Sequence, residues 1–595
     1  MKTDTIPVSN TSTLPGLFRE RARRSPSSIA YRQYDPTTQS WLDYSWQQTL
    51  DDIAHWQASF EKHDLQAGDR VAVMAHNSHE WVVYEQAALG LGLIVVPLYI
   101  NDSADNVAYI LNHAEAKMLF IDGDDQWSEI SKEAKQFTTI KTILSLKPTT
   151  GILDERLLII HDWLLTEKTF YLKKNDGPPS AMATIVYTSG TTGKPKGVML
   201  SHQNILTNLA SSLETVDVFT TDLFLSFLPL SHMLERTAGY YLPMMSGATV
   251  AFSRGVPVLG EDLLTIKPTI LISVPRIYEK VYAKIMDGLD QKSPIARGLF
   301  YQAVDVGWHR FNYQQGRASW HPKLILWPLL EKIIARKVTE KLGGRLRIAL
   351  TAGAAISPKI AELFIGLGVP ILQGYGLTET SPVISVNTLE SNDPASVGLA
   401  IPNVEIHKSE KGELMAKGPN VMLGYWKNQQ ATDEVIDQAG WFHSGDKIEM
   451  KDDHIYIVGR MKDIIVLSNG EKIPPNDMEL AASLYPCFEQ VLIIGEGRPF
   501  PTALIVLEPE QWAKEAKKYQ LEGLALNNKK VEKFLVDKLA QLLKDFPGYA
   551  TVHRAACTLE PWTVENAMLT PTLKTKRKII LENYAETVKK LYVGH

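Results

Sequence analysis

Residues Tyr187 to Val198 read YTSGTTGKPKGV, a run of small, hydroxylated and glycyl residues that includes two lysines. A loop built from Thr188, Ser189, Gly190, Thr191, Thr192 and Gly193 exposes its backbone N–H groups because no large side chain covers them. Its hydroxyls can point inward, and Lys194 and Lys196 add positive charge. That combination suits a grip on a polyphosphate. It is not the common nucleotide loop GxxxxGK[ST], because Pro195 stands where the second glycine would have to be. The plain alternative is a flexible surface turn, which needs one or two such residues rather than a whole run between two apolar stretches.

Four further motifs follow in order: LPLSHMLER (Leu228–Arg236), QGYGLTETSP (Gln373–Pro382), GWFHSGD (Gly440–Asp446) with GRMKD (Gly459–Asp463), and LTPTLKTKR (Leu569–Arg577). Glu379, in a polar loop at a strand end, is a hard-oxygen ligand of the kind Mg²⁺ takes. Asp446 can accept two donors at once. Each motif is weak alone. Together, in this order and spacing, they resemble the acyl-adenylate-forming superfamily of acyl-CoA synthetases, luciferases and peptide-synthetase adenylation domains. The resemblance runs from TLPGLFRERARRSPSSIAYR near the N-terminus to the lysine near the C-terminus. It is strongest to the long-chain fatty acyl-CoA synthetases, through LPLSHMLER, the LTPTLKTKR ending and a long helical insertion around 280–345.

The resemblance implies that a fatty acid and ATP form an acyl-AMP with loss of pyrophosphate, and that coenzyme A then takes the acyl group. It implies that the glycine-rich loop, Lys196 included, holds the β- and γ-phosphates, and that Thr378 bonds the α-phosphate. Glu379 holds Mg²⁺, with Thr188 as a second metal contact. Tyr375, beside Gly374, stacks on adenine with the thin Gly353-Ala354-Ala355 backbone opposite, Asp446 takes the ribose hydroxyls, and Arg460 is a second ribose or phosphate contact. Lys574 matches the adenylation lysine, an ammonium that stabilises charge developing between carboxylate and α-phosphate; Lys576, Arg577 and Lys578 crowd it as alternatives. His232 lines the acyl and pantetheine side. In such enzymes a small C-terminal domain rotates between the two half-reactions, here about Lys462, and Ser468-Asn469-Gly470-Glu471-Lys472 faces the CoA channel. An acyl carrier protein as acceptor is the nearest rival reading. A non-catalytic acyl- or nucleotide-binding protein is a rival of another class; it predicts loss of the charged positions, yet Glu379, Asp446, Arg460 and Lys574 are all present.

The elements that must position these residues can be read from pattern. At 595 residues the chain is too long for one core. Alternating helix and strand signals predict an α/β protein: a large N-terminal domain, 1–459, of layered α/β subdomains plus a β-rich subdomain after about Pro394, and a small, mobile α+β C-terminal domain, 460–595. Ser201 should cap a helix presenting Ile205, Leu206, Leu209 and Leu213. Ser357-Pro358 should open another that Gly368 closes, followed by a strand Val369–Leu372 and the GYGLTETSP loop. Lys447–Val458 reads as a hairpin turning at Asp452-Asp453. Trp81–Ile100 reads as a buried helix and a strand rather than a membrane span. Leu324–Val338 (LILWPLLEKIIARKV) reads as a helix packed on the protein, in preference to a peripheral contact with a membrane surface. Tyr240-Tyr241, Met244-Met245 and Gly247 are apolar candidates for the wall of an acyl tunnel. A net charge of −5 leaves no footprint for nucleic acid, and two cysteines point to a reducing, cytoplasmic compartment.

Overall fold

A computed structural model describes residues 3–150, 153–166, 170–175, 177–188, 194–461, 463–570 and 574–593. A large N-terminal α/β domain carries a smaller C-terminal one. The large domain is built on a nine-stranded and an eight-stranded sheet, each mostly parallel. Strand alternation puts successive side chains on opposite faces, and the cores follow it. Phe224, Val250, Ile348 and Leu372 of one sheet and Val71, Val73, Phe120 and Val186 of the other enter one central core, which also holds the helices Leu14–Arg24, Trp46–Phe60, His79–Gly90 and His202–Thr215. Their neighbours Leu225, Ala251, Ala349 and Ile371 face an outer layer that includes Pro294–Gln314 and Pro358–Gly366. Ala72, Met74, Leu119 and Ile185 face another outer layer that includes Ala104–Ala114. Buried apolar area in these layers supplies the main driving force for folding.

The β-rich part is a four-stranded antiparallel sheet, Glu405–Lys408, Glu413–Lys417, Phe442–Lys451 and His454–Arg460. Its hairpin turns at Asp452 and Asp453, both at positive φ (49° and 62°), the backbone such a two-residue turn demands. The C-terminal domain packs a three-stranded sheet, Phe488–Ile494, Thr502–Leu507 and Arg554–Thr558, between helices on both faces.

Most local expectations hold. Ser201 caps His202–Thr215, its hydroxyl accepting from Asn204 N–H while the Asn204 side chain answers. His79–Gly90 and Ile94–Pro97 are the buried helix and strand. Two readings need correction. Ser357 precedes the helix Pro358–Gly366 but makes no side-chain capping bond; Pro358 alone starts it. The strand after Gly368 is Ile371–Gly376, so Gly374, Tyr375 and Gly376 belong to a strand rather than a loop. Antiparallel pairing with Val383–Val386 extends it.

Candidate active site

The glycine-rich loop joins the antiparallel strands Met182–Thr188 and Lys196–Ser201, with Thr188 opposite Lys196. Ser189, Gly190, Thr191, Thr192 and Gly193 lie outside the described residues; the loop's flanks do not. Lys194 Nζ lies 4.8 Å from the Tyr109 ring centre, and Lys196 Nζ lies 4.9 Å from that of Tyr425. The Tyr425 hydroxyl donates to Glu379 Oε1 at 2.8 Å. One aromatic residue thus links the flank of the glycine-rich loop to the Glu379 carboxylate.

Glu379 sits on a single 3₁₀ turn, Thr378–Thr380, directly after the strand that ends at Gly376. Asn208 Nδ2 donates to Val383 O (2.8 Å), Asn420 Nδ2 to Thr380 O (3.0 Å), and Met422 N–H to Glu379 O (2.8 Å). At Gly376 the backbone passes so close to the returning chain that a Cβ would stand 1.9 Å from Pro382 O. Upstream, Gln373 Oε1 accepts from Ile356 N–H at 2.9 Å and holds the exposed Gly353-Ala354-Ala355 turn against the strand.

Tyr375 donates its hydroxyl to Asp446 Oδ2, and Arg460 Nε lies 3.1 Å from Oδ1. Asp446 and Arg460 are cross-strand partners in the hairpin, so their pairing is set by register. Burial, then the Asp446 carboxylate, pushes the Tyr375 hydroxyl well above the usual tyrosine range. Asp446 thus already has a partner on each oxygen, and each oxygen keeps a second lone pair for a further donor.

Lys574 comes from the other domain. Its N–H bonds Thr570 Oγ1 (3.0 Å), its carbonyl accepts from Thr570 N–H (2.8 Å), and Leu569 bridges Thr575. The residue keeps solvent access by surface area, yet it stands in a cleft with protein on most sides. That crowding, and then the positive charge of Arg460, lowers its pKa against the pull of Asp446 and Glu379. Among the neighbouring cations, Lys576 stands by Asp102, Arg577 bonds Glu479 and Ile493 O (2.8 Å), and Lys578 lies 4.0 Å from Glu582. Lys574 meets the charges of Asp446 and Glu379. His232 also feels it: burial first, and then Lys574, pushes that imidazole down to about 4. Leu234 N–H donates to Nδ1 at 3.2 Å, so the neutral ring carries its proton on Nε2.

Past His232 the chain forms a π-helix, Glu235–Tyr241. Burial raises the Glu235 carboxyl to about 8. Neither oxygen has a hydrogen-bond partner among the described residues; Ser226 is near enough to temper the shift but not placed for a bond. Gly239 makes the room, since a Cβ there would lie 2.3 Å from Glu235 Oε1. The tunnel-wall candidates are fully buried: Tyr241 donates to Glu85 Oε1 (2.6 Å), Tyr240 accepts from Gln86 Nε2 (2.7 Å), and Gly247 backs onto Arg21. Arg21 also holds the Met244 and Met245 carbonyls at 3.0 and 2.9 Å. Sequence reasoning missed Tyr425, Asn208 and Asn420. Asn208, sharing the inner face of a helix with Leu209 and Ile205, was a readable anomaly; the other two leave no local signal.

A two-sheet α/β domain and a smaller domain thus bring Glu379, Asp446, Arg460 and Lys574 within reach of one another's charges. The chain belongs to the family of AMP-binding enzymes: that family's model matches residues 18–426, and the AMP-binding enzyme C-terminal domain matches 462–595. It is 28% identical to a long-chain-fatty-acid–CoA ligase of Mycobacterium bovis, over 96% of each chain. It is 30% identical to the peroxisomal long chain acyl-CoA synthetase 7 of Arabidopsis thaliana, over 89% of this chain and 79% of that one. In fold it matches the adenylation domain of a carboxylate reductase from Mycobacterium chelonae, with a TM-score of 0.76, 20% identity, and coverage of 98% and 91%.

Proposed function

We propose that the protein is an ATP-dependent fatty acid–CoA ligase for medium- or long-chain acids. The observation that supports it most is the convergence of Lys574 of the C-terminal domain with Glu379 and Asp446 of the N-terminal domain, beside Arg460 at the boundary. In the first half-reaction a carboxylate oxygen attacks the α-phosphorus of ATP, the bond to pyrophosphate breaks, and acyl-AMP forms. Lys574 balances negative charge gathering between carboxylate and phosphate, and Thr378 bonds the α-phosphate. Asp446 and Arg460 fix the ribose, Tyr375 and the Gly353–Ala355 turn sandwich adenine, and the glycine-rich loop with Lys196 steadies the leaving phosphates. In the second half-reaction the CoA sulfur attacks the acyl carbon and AMP departs, with neutral His232 bordering the acyl and thiol path.

Glu379 fits Mg²⁺: it is a hard carboxylate already oriented by Tyr425, and Mg²⁺ is commonly held by one or two carboxylates plus phosphate oxygens. Glu379, with Thr188 as second contact, would hold the ion, which would neutralise phosphate charge. We place the domain boundary at 459/460 and the hinge at Lys462, which lies outside the described residues; Ser468–Lys472 would border the CoA channel. No described helix is long and apolar enough to cross a membrane. The compartment proposed is the cytoplasm, with any membrane contact peripheral.

The test is ATP–pyrophosphate exchange with a panel of saturated acids from hexanoate to icosanoate, followed by AMP release with CoA or with an acyl carrier protein. Exchange stimulated by the longer acids and AMP release driven by CoA are expected. No stimulation by any fatty acid would sink the reading, and turnover with carrier protein alone would move the acceptor assignment.

A further inference from the structure

The helical insertion carries a surface that the proposed reaction leaves unused. Residues 322–341 form a broken helix, Pro322–Leu326, Trp327–Leu330, Glu331–Ala335 and Arg336–Lys341. Its inner side is packed: Trp327, Leu330 and Ala335 are buried in the outer core beside Pro294–Gln314. Arg310 stacks on Trp327 at 5.3 Å and Lys323 pairs with Asp305 at 2.8 Å, so the segment is firmly mounted. Its outer side is apolar as well. Ile325, Leu329 and Ile333, one every fourth residue, are 72%, 59% and 43% exposed, flanked by Leu326 at 42% and Trp320 at 56%. A helix apolar on both sides is ordinarily covered on both, and a clustered exposed apolar face marks an interaction site.

Charge decides what covers it. Between residues 294 and 341 there are eight Lys or Arg against three Asp or Glu, in a chain whose net charge is −5. Lys332, Lys337 and Lys341 are exposed on the same segment. A second copy docking through the same face would press two cationic patches together, as a two-fold interface requires. An anionic lipid surface meets both features at once: apolar side chains enter the acyl boundary while lysines meet the headgroups. We propose that the 320–341 face is a membrane-docking surface for anionic phospholipid, on which the chain lies rather than spans. Resting on the fatty-acid reading above, such docking would place the enzyme where a long-chain acid partitions.

The test is flotation of the full chain with vesicles of phosphatidylcholine, and of phosphatidylcholine mixed with phosphatidylglycerol, at low and high salt. The wild type should float with the anionic vesicles, and less so as salt rises. Lys332→Glu with Lys337→Glu should lower partitioning roughly tenfold or more. Ile325→Ser with Leu329→Ser should also lower it, with pyrophosphate exchange on soluble octanoate unchanged in both variants. Because binding is read directly, loss of flotation and loss of exchange are separate failures. Flotation equal in wild type and the charge-reversed variant would overturn the proposal, as would no flotation of the wild type. A dimer in sedimentation that the serine variant dissociates, without vesicle binding, would assign the face to self-association instead.

Discussion

An ammonium that must be charged in a transition state is disfavoured where Lys574 stands, because crowding and Arg460 both lower its pKa. Activity that needs the cation therefore falls as pH rises through that lowered value. Adenylation should show an alkaline limb below the ordinary lysine value of about 10.4, and Lys574→Arg should lose the limb along with much of the rate. Lys574→Ala should cost on the order of 10²–10³ in pyrophosphate exchange while sparing thioester formation from supplied acyl-AMP. An unchanged exchange rate would remove Lys574 from the reaction. Glu235 makes the converse case. An unfolded glutamate titrates near about 4.3, whereas burial holds the folded carboxyl at about 8. The folded state thus keeps a proton that the unfolded chain releases, so stability drops as pH climbs from ~4.3 to ~8 and levels off beyond. Glu235→Gln should abolish that decline, a difference on the order of a few kcal/mol at alkaline pH. Denaturant melts that run parallel for the two proteins across this window would refute it.

At the scale of elements, the turn that presents Thr378 and Glu379 depends on a strand end that tolerates no side chain. Pro382 O, which a Cβ at Gly376 would strike, cannot retreat freely, since it accepts from Leu377 N–H (3.0 Å) and from Thr380 Oγ1 (2.6 Å). Gly376→Ala should destabilise the protein by ~1–3 kcal/mol and weaken AMP binding, as thermal shift and calorimetry would report. A variant as stable and as tight as wild type would mean that the turn yields. How legible these elements were follows from the range of their signals. The Ser201 cap, the Asp452-Asp453 hairpin and the helix–strand pair of Trp81–Ile100 each rest on residues within a few positions of one another, and pattern finds them. The strand Ile371–Gly376 was read too short, because its last residues are extended by pairing with Val383–Val386 rather than by their own preferences. Leu324–Val338 was read as a packed helix and is one on its inner side alone. In the site, residue types suggested a phosphate loop, a metal ligand and a ribose acceptor, but Lys574 among four cations came only from a family motif. Tyr425 and Asn420 lie about 40 or more residues from the groups they hold, and nothing local announces such partners.

For the whole molecule, the question is how firmly the small domain is held in the pose that brings Lys574 to the cleft. Among the described residues, hydrogen bonds join the helix Pro275–Asp290 to the C-terminal domain at Arg276, whose Nη2 donates to Glu489 O at 3.2 Å, and at Asp287, whose Oδ2 accepts from Gln511 Nε2 at 3.2 Å, while Leu484 packs on the outer core. Lys576 adds a charge beside Asp102, which burial otherwise raises. These are long bonds at an interface edge, each worth about 1 kcal/mol net, and a population shifts only by the difference in free energy between its states. On the mechanism proposed above, in which the second half-reaction needs Lys574 withdrawn, such a light hold is an advantage. Arg276→Ala with Gln511→Ala should therefore lower pyrophosphate exchange about fivefold or more and leave thioester formation from acyl-AMP equal or faster. Lys462→Pro, by stiffening the proposed hinge, should act the opposite way, sparing exchange and slowing the thioester step. Both half-reactions falling together in either variant would show that the two poses do not divide the chemistry, and that Lys574 reaches its place by a contact other than these.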